Sequence, residues 1–271
     1  MTSKIRIFGK YDKFIVVFTY LFMLVMNALA NIIPINNIST GAVSDGYANL
    51  FAPTGLTFAI WGVIYLALGA HVIYQFKEVY YSPETRVMLQ GVRLWFSASS
   101  FVNGLWILAW HYDAIALSLV LMLMLLFCLV RITHLIHSAK LTSNERLWIQ
   151  RPFSIYLGWI LVATIANVTT LLVKWRWTAF GMREDVTTAI VIVVGLMITA
   201  LVVNRFKDCL IGLTVEWAYL GILIKHVGKR GFGMAYPLVT WTTMVCMTLL
   251  MGLIIFVGYG KIRAIIKKFS K

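Results

Sequence analysis

Apolar residues are gathered into eight long runs, 14–33, 55–76, 91–111, 114–136, 152–173, 186–206, 208–226 and 235–259, separated by polar breaks. A helix needs about 20 consecutive apolar residues to cross a bilayer, and each run is close to that length. Strands of a membrane barrel would alternate apolar and polar residues over about 10 positions, and these runs do not alternate. The pattern therefore predicts an all-α integral membrane protein with eight transmembrane helices.

Several spans carry more than lipid contact requires. The second is entered through Pro53 and places Trp61 and Tyr65 four residues apart on one face, with Gly69 a further turn along. That aromatic and small face is expected to look inward, onto another helix or a ligand. In the third, Ser99, Asn103, Trp106 and Trp110 form one polar-aromatic stripe. An unpaired amide in hydrocarbon is costly, so Asn103 is expected to face the interior. Trp110 is read either as part of the stripe or as an interfacial anchor. In the fifth span Trp159, Ala163, Ala166 and Thr170 share a face with Asn167 at its edge, a surface that admits a close helix or a flat ligand.

Polar residues elsewhere in the spans are fewer. Asn27 and Asn31, one turn apart in the first span, suit interhelical hydrogen bonds. The fourth span reads as scaffold, with Arg131 reaching for the interface. Glu216, beside Trp217 in the seventh, is the one acidic residue well inside any span. An intramembrane carboxylate costs roughly 2.5–3.5 kcal/mol to insert and is a functional candidate by default. Three readings are open for it: a proton or cation site, a partner for Lys225, or a neutral hydrogen-bonding acid. His71 lacks partners at ligand spacing and reads as a packing residue, so no metal centre is expected.

Composition agrees with the pattern: 61% of residues are hydrophobic and 13% charged, with a net charge of +14. Of the 24 Lys and Arg, only Lys174, Arg176, Arg183, Lys225, Lys229 and Arg230 fall on the outer side if the N-terminus is cytoplasmic. The rest, Arg93 among them, would lie inside, so the positive-inside rule puts both termini in the cytoplasm. The basic charge is thus a topology signal, and no nucleic-acid partner is expected. The C-terminal KIRAIIKKFSK segment would attract anionic lipid headgroups.

Lys4 to Lys13, the following apolar run and Ala28-Leu29-Ala30 imitate a cleavable signal peptide, but the run continues to Ile33 and is long enough to span. Cleavage would leave seven spans. The segment Pro34–Ala52 is polar and holds no Lys or Arg, which suits an outer loop that either covers a pocket mouth or merely connects helices. Cys128, Cys209 and Cys246 lie within spans without a C-x-x-C pairing. No G-x-x-x-G, Walker or catalytic-triad pattern occurs, and Gly228–Gly233 is a short turn. A homodimer is an open alternative.

Taken together, the spacing of Pro53, Trp61, Tyr65 and Gly69, then Asn103-Gly-Leu-Trp106, then Trp159 with Asn167 eight residues on, resembles the TspO/MBR family of tryptophan-rich sensory proteins over roughly residues 10–177. The resemblance implies a five-helix bundle, residues 1–177; the three-helix extension after it, 178–271, is expected to have no counterpart in the family. It also implies a hydrophobic pocket for a planar or lipidic ligand, a porphyrin-type tetrapyrrole or a sterol-like lipid. Trp61, Tyr65, Asn103, Trp106, Trp159 and Asn167 would line or support that pocket. The function expected is that of a receptor or sensor in a bacterial cytoplasmic membrane, with no required cofactor beyond a porphyrin or haem-type ligand. The alternatives are a proton- or ion-coupled transporter using Glu216, a porphyrin-modifying enzyme, and a scaffold in which the Trp and Asn side chains only pack.

Overall fold

The structure, a computed structural model, describes residues 11–33 and 35–269. Lys4, Arg6, Lys10, Pro34 and Lys271 lie outside the described residues, as do the side chains of Lys261, Lys267 and Lys268 in the basic tail. The described chain is helical without a strand: α1 Asp12–Asn31, α2 Thr40–Gly46, α3 Ile60–Tyr74, α4 Pro83–His111, α5 Ile115–Ser138, α6 Ser143–Glu145, α7 Arg151–Lys174, α8 Glu184–Phe206, α9 Cys209–Val227 and α10 Pro237–Phe269. By length and composition, 7 helical segments among the described residues can cross a membrane. The remaining predicted span, 91–111, is the second part of α4, where Arg93, Ser97, Ser99, Ser100 and Asn103 are all buried and lower the hydropathy.

The chain divides into two compact units, Met1–Ser39 with Gly62–Phe153, and Thr40–Trp61 with Ser154–Lys271. In the first unit α4 packs against both α1 and α5. The reason is visible in α1, whose buried Val16, Tyr20, Met23, Asn27 and Ala30 recur every three or four residues. Its other faces expose Phe14, Phe18, Leu21, Val25 and Leu29. A helix with an apolar outer surface and a partly polar inner one is built for lipid rather than water. Gly104 permits the α1–α4 contact: a Cβ there would lie 2.3 Å from the Phe22 ring.

Polar groups fix the register of this unit. Ser82 caps α4 by accepting the Thr85 N–H at 3.1 Å, with Pro83 in the first turn. Arg93 is only 3% exposed and pairs with Asp12 at 2.9 Å, while its Nε donates to Gln75 at 3.2 Å. The sequence places Arg93 among the inner topology charges; in the structure it is a buried, neutralised helix-to-helix link. Arg131 stays exposed, yet its guanidinium lies 5.7 Å from the centre of the Trp95 ring. His71 is a packing residue, its Nδ1 3.1 Å from the Trp148 carbonyl and its ring edge-on to Phe96 and Phe153.

In the second unit α10 packs on both α8 and α9. The inner face of α8 carries Thr188, Ile192, Gly195, Thr199 and Val203, again at three- and four-residue spacing. Gly195 leaves room for Tyr219 of α9, whose hydroxyl donates to the Ile192 carbonyl at 2.7 Å. Lys207, left-handed at φ 51°, and Asp208, which accepts the Leu210 N–H, close the sharp turn between α8 and α9. The 3-10 turn Gly55–Ala59 lies directly on α9. Thr54 N–H donates to the Gly221 carbonyl at 3.2 Å, and the Trp217 indole donates to the Thr57 carbonyl at 3.0 Å. A Cβ on Gly221 would meet Thr57 Oγ1 at 1.9 Å, so only glycine lets that turn settle.

Candidate functional site

Two of the expected pocket residues meet in the second unit. Trp61, in the first turn of α3, and Trp159, on α7, stand edge to face with ring centres 6.0 Å apart. Phe58 reaches Trp159 at 5.9 Å and Tyr156 reaches Trp61 at 6.0 Å, both again edge to face. Such geometry sets the positive ring edge against the negative face and is favourable beyond simple burial. Trp159 is 3% exposed, and its indole N–H meets no acceptor among the described residues. Trp61 is half-buried. Asn167, two turns further along α7, is buried.

The other three lie in the first unit. Asn103 is fully buried, and its Oδ1 accepts from Asn27 Nδ2 at 2.7 Å, a direct amide pair joining α1 to α4. Asn27 thereby fills the interhelical role expected of it; among the described residues Asn31 donates to the Asn27 carbonyl within its own helix. Trp106 and Trp110 are both buried and stack at 5.8 Å, which makes Trp110 an interior residue of the stripe and not an interfacial anchor. Tyr65 is half-buried and its carbonyl accepts the Tyr20 hydroxyl at 2.8 Å. Gly69 provides the space beside that hydroxyl, since a Cβ there would lie 2.6 Å from it.

Glu216 is 7% exposed on α9, and its Oε1 has no hydrogen-bond partner among the described residues. The pairing with Lys225 does not form: the Lys225 ammonium lies 3.7 Å from Asp45 and over the Phe232 ring. No group of three His, Cys, Asp or Glu side chains is placed to hold a metal among the described residues.

Open space lies elsewhere in the second unit. A cleft of about 470 Å³ runs between the last turns of α7 and the first turns of α8, walled by Leu172, Val173, Trp177, Ile190 and Val191 and closed on one side by Asn49 and Phe51. A smaller cleft of about 250 Å³ shares Asn49 and Glu184 with it and adds Asp45, Tyr47, Lys225 and Tyr236. None of the six motif residues lines either one. Of the polar segment after α1, Asn49 and Phe51 line the larger cleft and Ser44, Asp45, Tyr47 and Asn49 the smaller one. Trp177 forms part of a wall, a position that the sequence alone does not announce.

A family model described as TSPO-like protein matches residues 13–256, from the start of α1 into α10. No match to the chain is found among curated proteins or among solved structures. The family match takes in the last three long helices as well as the segment that carries the tryptophan and asparagine motifs. On a match of that extent, this integral membrane protein belongs to the family of TSPO-like proteins.

Proposed function

We propose that the protein is a membrane receptor or sensor for a hydrophobic, planar small molecule, of the tetrapyrrole or sterol-like class, held against the Trp61–Trp159 cluster. The observation that carries this reading is the Trp159 indole N–H, buried among aromatic rings and lacking an acceptor. Leaving such a donor unmade costs about 1–3 kcal/mol, a cost that a ligand acceptor removes on binding. Flat rings offer the faces that edge-on tryptophans recognise. The Lys and Arg asymmetry supports both termini on the cytoplasmic side of the membrane, which we take to be a bacterial cytoplasmic membrane.

Fluorescence titration of the detergent-purified protein with a porphyrin and a sterol tests it. Trp159→Phe keeps an aromatic ring, though a smaller one, and removes the donor, so porphyrin or sterol affinity falls about tenfold while the smaller ring costs some thermal stability. Unchanged affinity in Trp159→Phe, or no saturable binding by either compound, removes the reading.

The unpartnered Oε1 of Glu216 supports a second reading, proton-coupled transport of the same class of molecule. Uptake into proteoliposomes is then driven by a pH gradient in the native protein and insensitive to it in Glu216→Gln. Gradient-driven uptake that survives the substitution excludes Glu216 as the coupling group.

A further inference from the structure

The two adjoining clefts of the second unit have a charge arrangement unlike that of the tryptophan cluster. In the larger one the walls are apolar apart from threonines, Asn49 and a single charged side chain, Glu184, in the first turn of α8. Glu184, an exposed residue, also lines the smaller cleft, so it stands at the edge where the two join. Arg183, beside Glu184, and Lys225, in the lining of the smaller cleft, are committed elsewhere. Arg183 is forked onto Asp185, with Nε 3.0 Å from Oδ1 and Nη2 2.5 Å from Oδ2. Lys225 is taken by Asp45 at 3.7 Å and by the face of Phe232 at 5.7 Å. Glu184 alone among these acids has no cation or donor within the described residues.

We propose that this cleft is a second binding site, separate from the Trp61–Trp159 cluster, and that its ligand is a lipophilic amine: a compact apolar body carrying one protonated nitrogen. The apolar body lies along Leu172, Val173, Ile190 and Val191, in a space of about 470 Å³ that is typical of small-molecule sites. The nitrogen meets the Glu184 carboxylate at the junction, where a charge-assisted hydrogen bond forms. The rings of Trp177, Tyr47 and Tyr236 in the adjoining walls add cation–π surface. A carboxylated ligand of the same shape would place its anion against Glu184 with Lys225 already occupied, so the site discriminates by charge. Size discriminates too, since a diacyl lipid is larger than the cleft.

The test uses the full chain in detergent and three fluorescent probes of one shape: dansyl-hexylamine, the matching alcohol and the matching carboxylic acid. Binding is read as energy transfer from protein tryptophan to the dansyl group. In the native protein the amine binds about tenfold more tightly than the alcohol, and the acid binds weakest. Glu184→Gln brings amine and alcohol to equal affinity and leaves the alcohol unchanged. Ile190→Trp, which fills the cleft from a partly exposed position, weakens all three. Trp159→Phe leaves amine binding intact, which separates this site from the planar-ligand reading. Equal binding of amine and alcohol in the native protein, a preference that persists in Glu184→Gln, binding indifferent to Ile190→Trp, or no binding of any probe each overturns the proposal.

Discussion

Trp159 and Asn103 are both polar groups in an apolar interior, and they are settled in opposite ways. Asn103 has its amide matched to Asn27 at 2.7 Å, whereas the Trp159 N–H is left open among rings. The first arrangement joins two helices; the second leaves a donor without an acceptor among the described residues. A double-mutant cycle on Asn27→Ala and Asn103→Ala, read as thermal unfolding in detergent, gives a coupling of about 1 kcal/mol, within the range of membrane interhelical hydrogen bonds. Zero coupling would mean that the amide pair does not contribute to the α1–α4 contact. The polarity of both asparagines is plain in the sequence, but their pairing is not. It joins positions 76 residues apart and depends on helix register, which side-chain spacing within one helix does not set. The open Trp159 donor is likewise invisible until its neighbours are in place.

Among elements, α4 is the most legible. The spacing of Ser99, Asn103, Trp106 and Trp110 predicts one buried stripe, and all four are buried. Four contacts with one helical period leave little freedom in how such a helix can turn its face. Arg93 on the same helix does more than the rule of sign reads from it, because a cation at the start of an apolar run looks like a loop charge until a carboxylate is found opposite it. The segment between α1 and α3 is half legible. Its polarity marks it as a loop near an opening, while α2 and the seating of Gly55–Ala59 on α9 depend on the fit of Thr57 to Gly221. The two clefts are not legible at all, since their walls come from loop, α7, α8 and the α9–α10 turn, each unremarkable alone.

For the whole molecule, the hydrophobic pattern is sufficient to give an all-helical membrane protein, and the motif spacing is sufficient to give its family. Function is not carried by that pattern to the same depth: the residues that the motifs single out divide between two compact units. Trp61, Trp159 and Asn167 belong to one, and Tyr65, Asn103 and Trp106 to the other.

The polarity of α4 also bears on how the protein is made. Translocon-mediated insertion admits a segment by its own partition free energy, and an arginine raises that by about 2.5–3.5 kcal/mol at the helix centre and by less toward the end of the span, where Arg93 lies. With Arg93, three serines and Asn103 on one helix, α4 is poorly suited to enter lipid by itself, whereas α1 arrives first and brings both Asp12 and Asn27, the partners of Arg93 and Asn103. In a glycosylation-mapping assay with microsomes, α4 alone is expected to integrate poorly and to integrate well when α1 precedes it, with Asp12→Ala reducing that rescue. Equal integration with and without α1 would show that α4 needs no escort. On that expectation the buried ion pair has a second use while the chain is being made: α1, already in the membrane, supplies the carboxylate that lets α4 stay there.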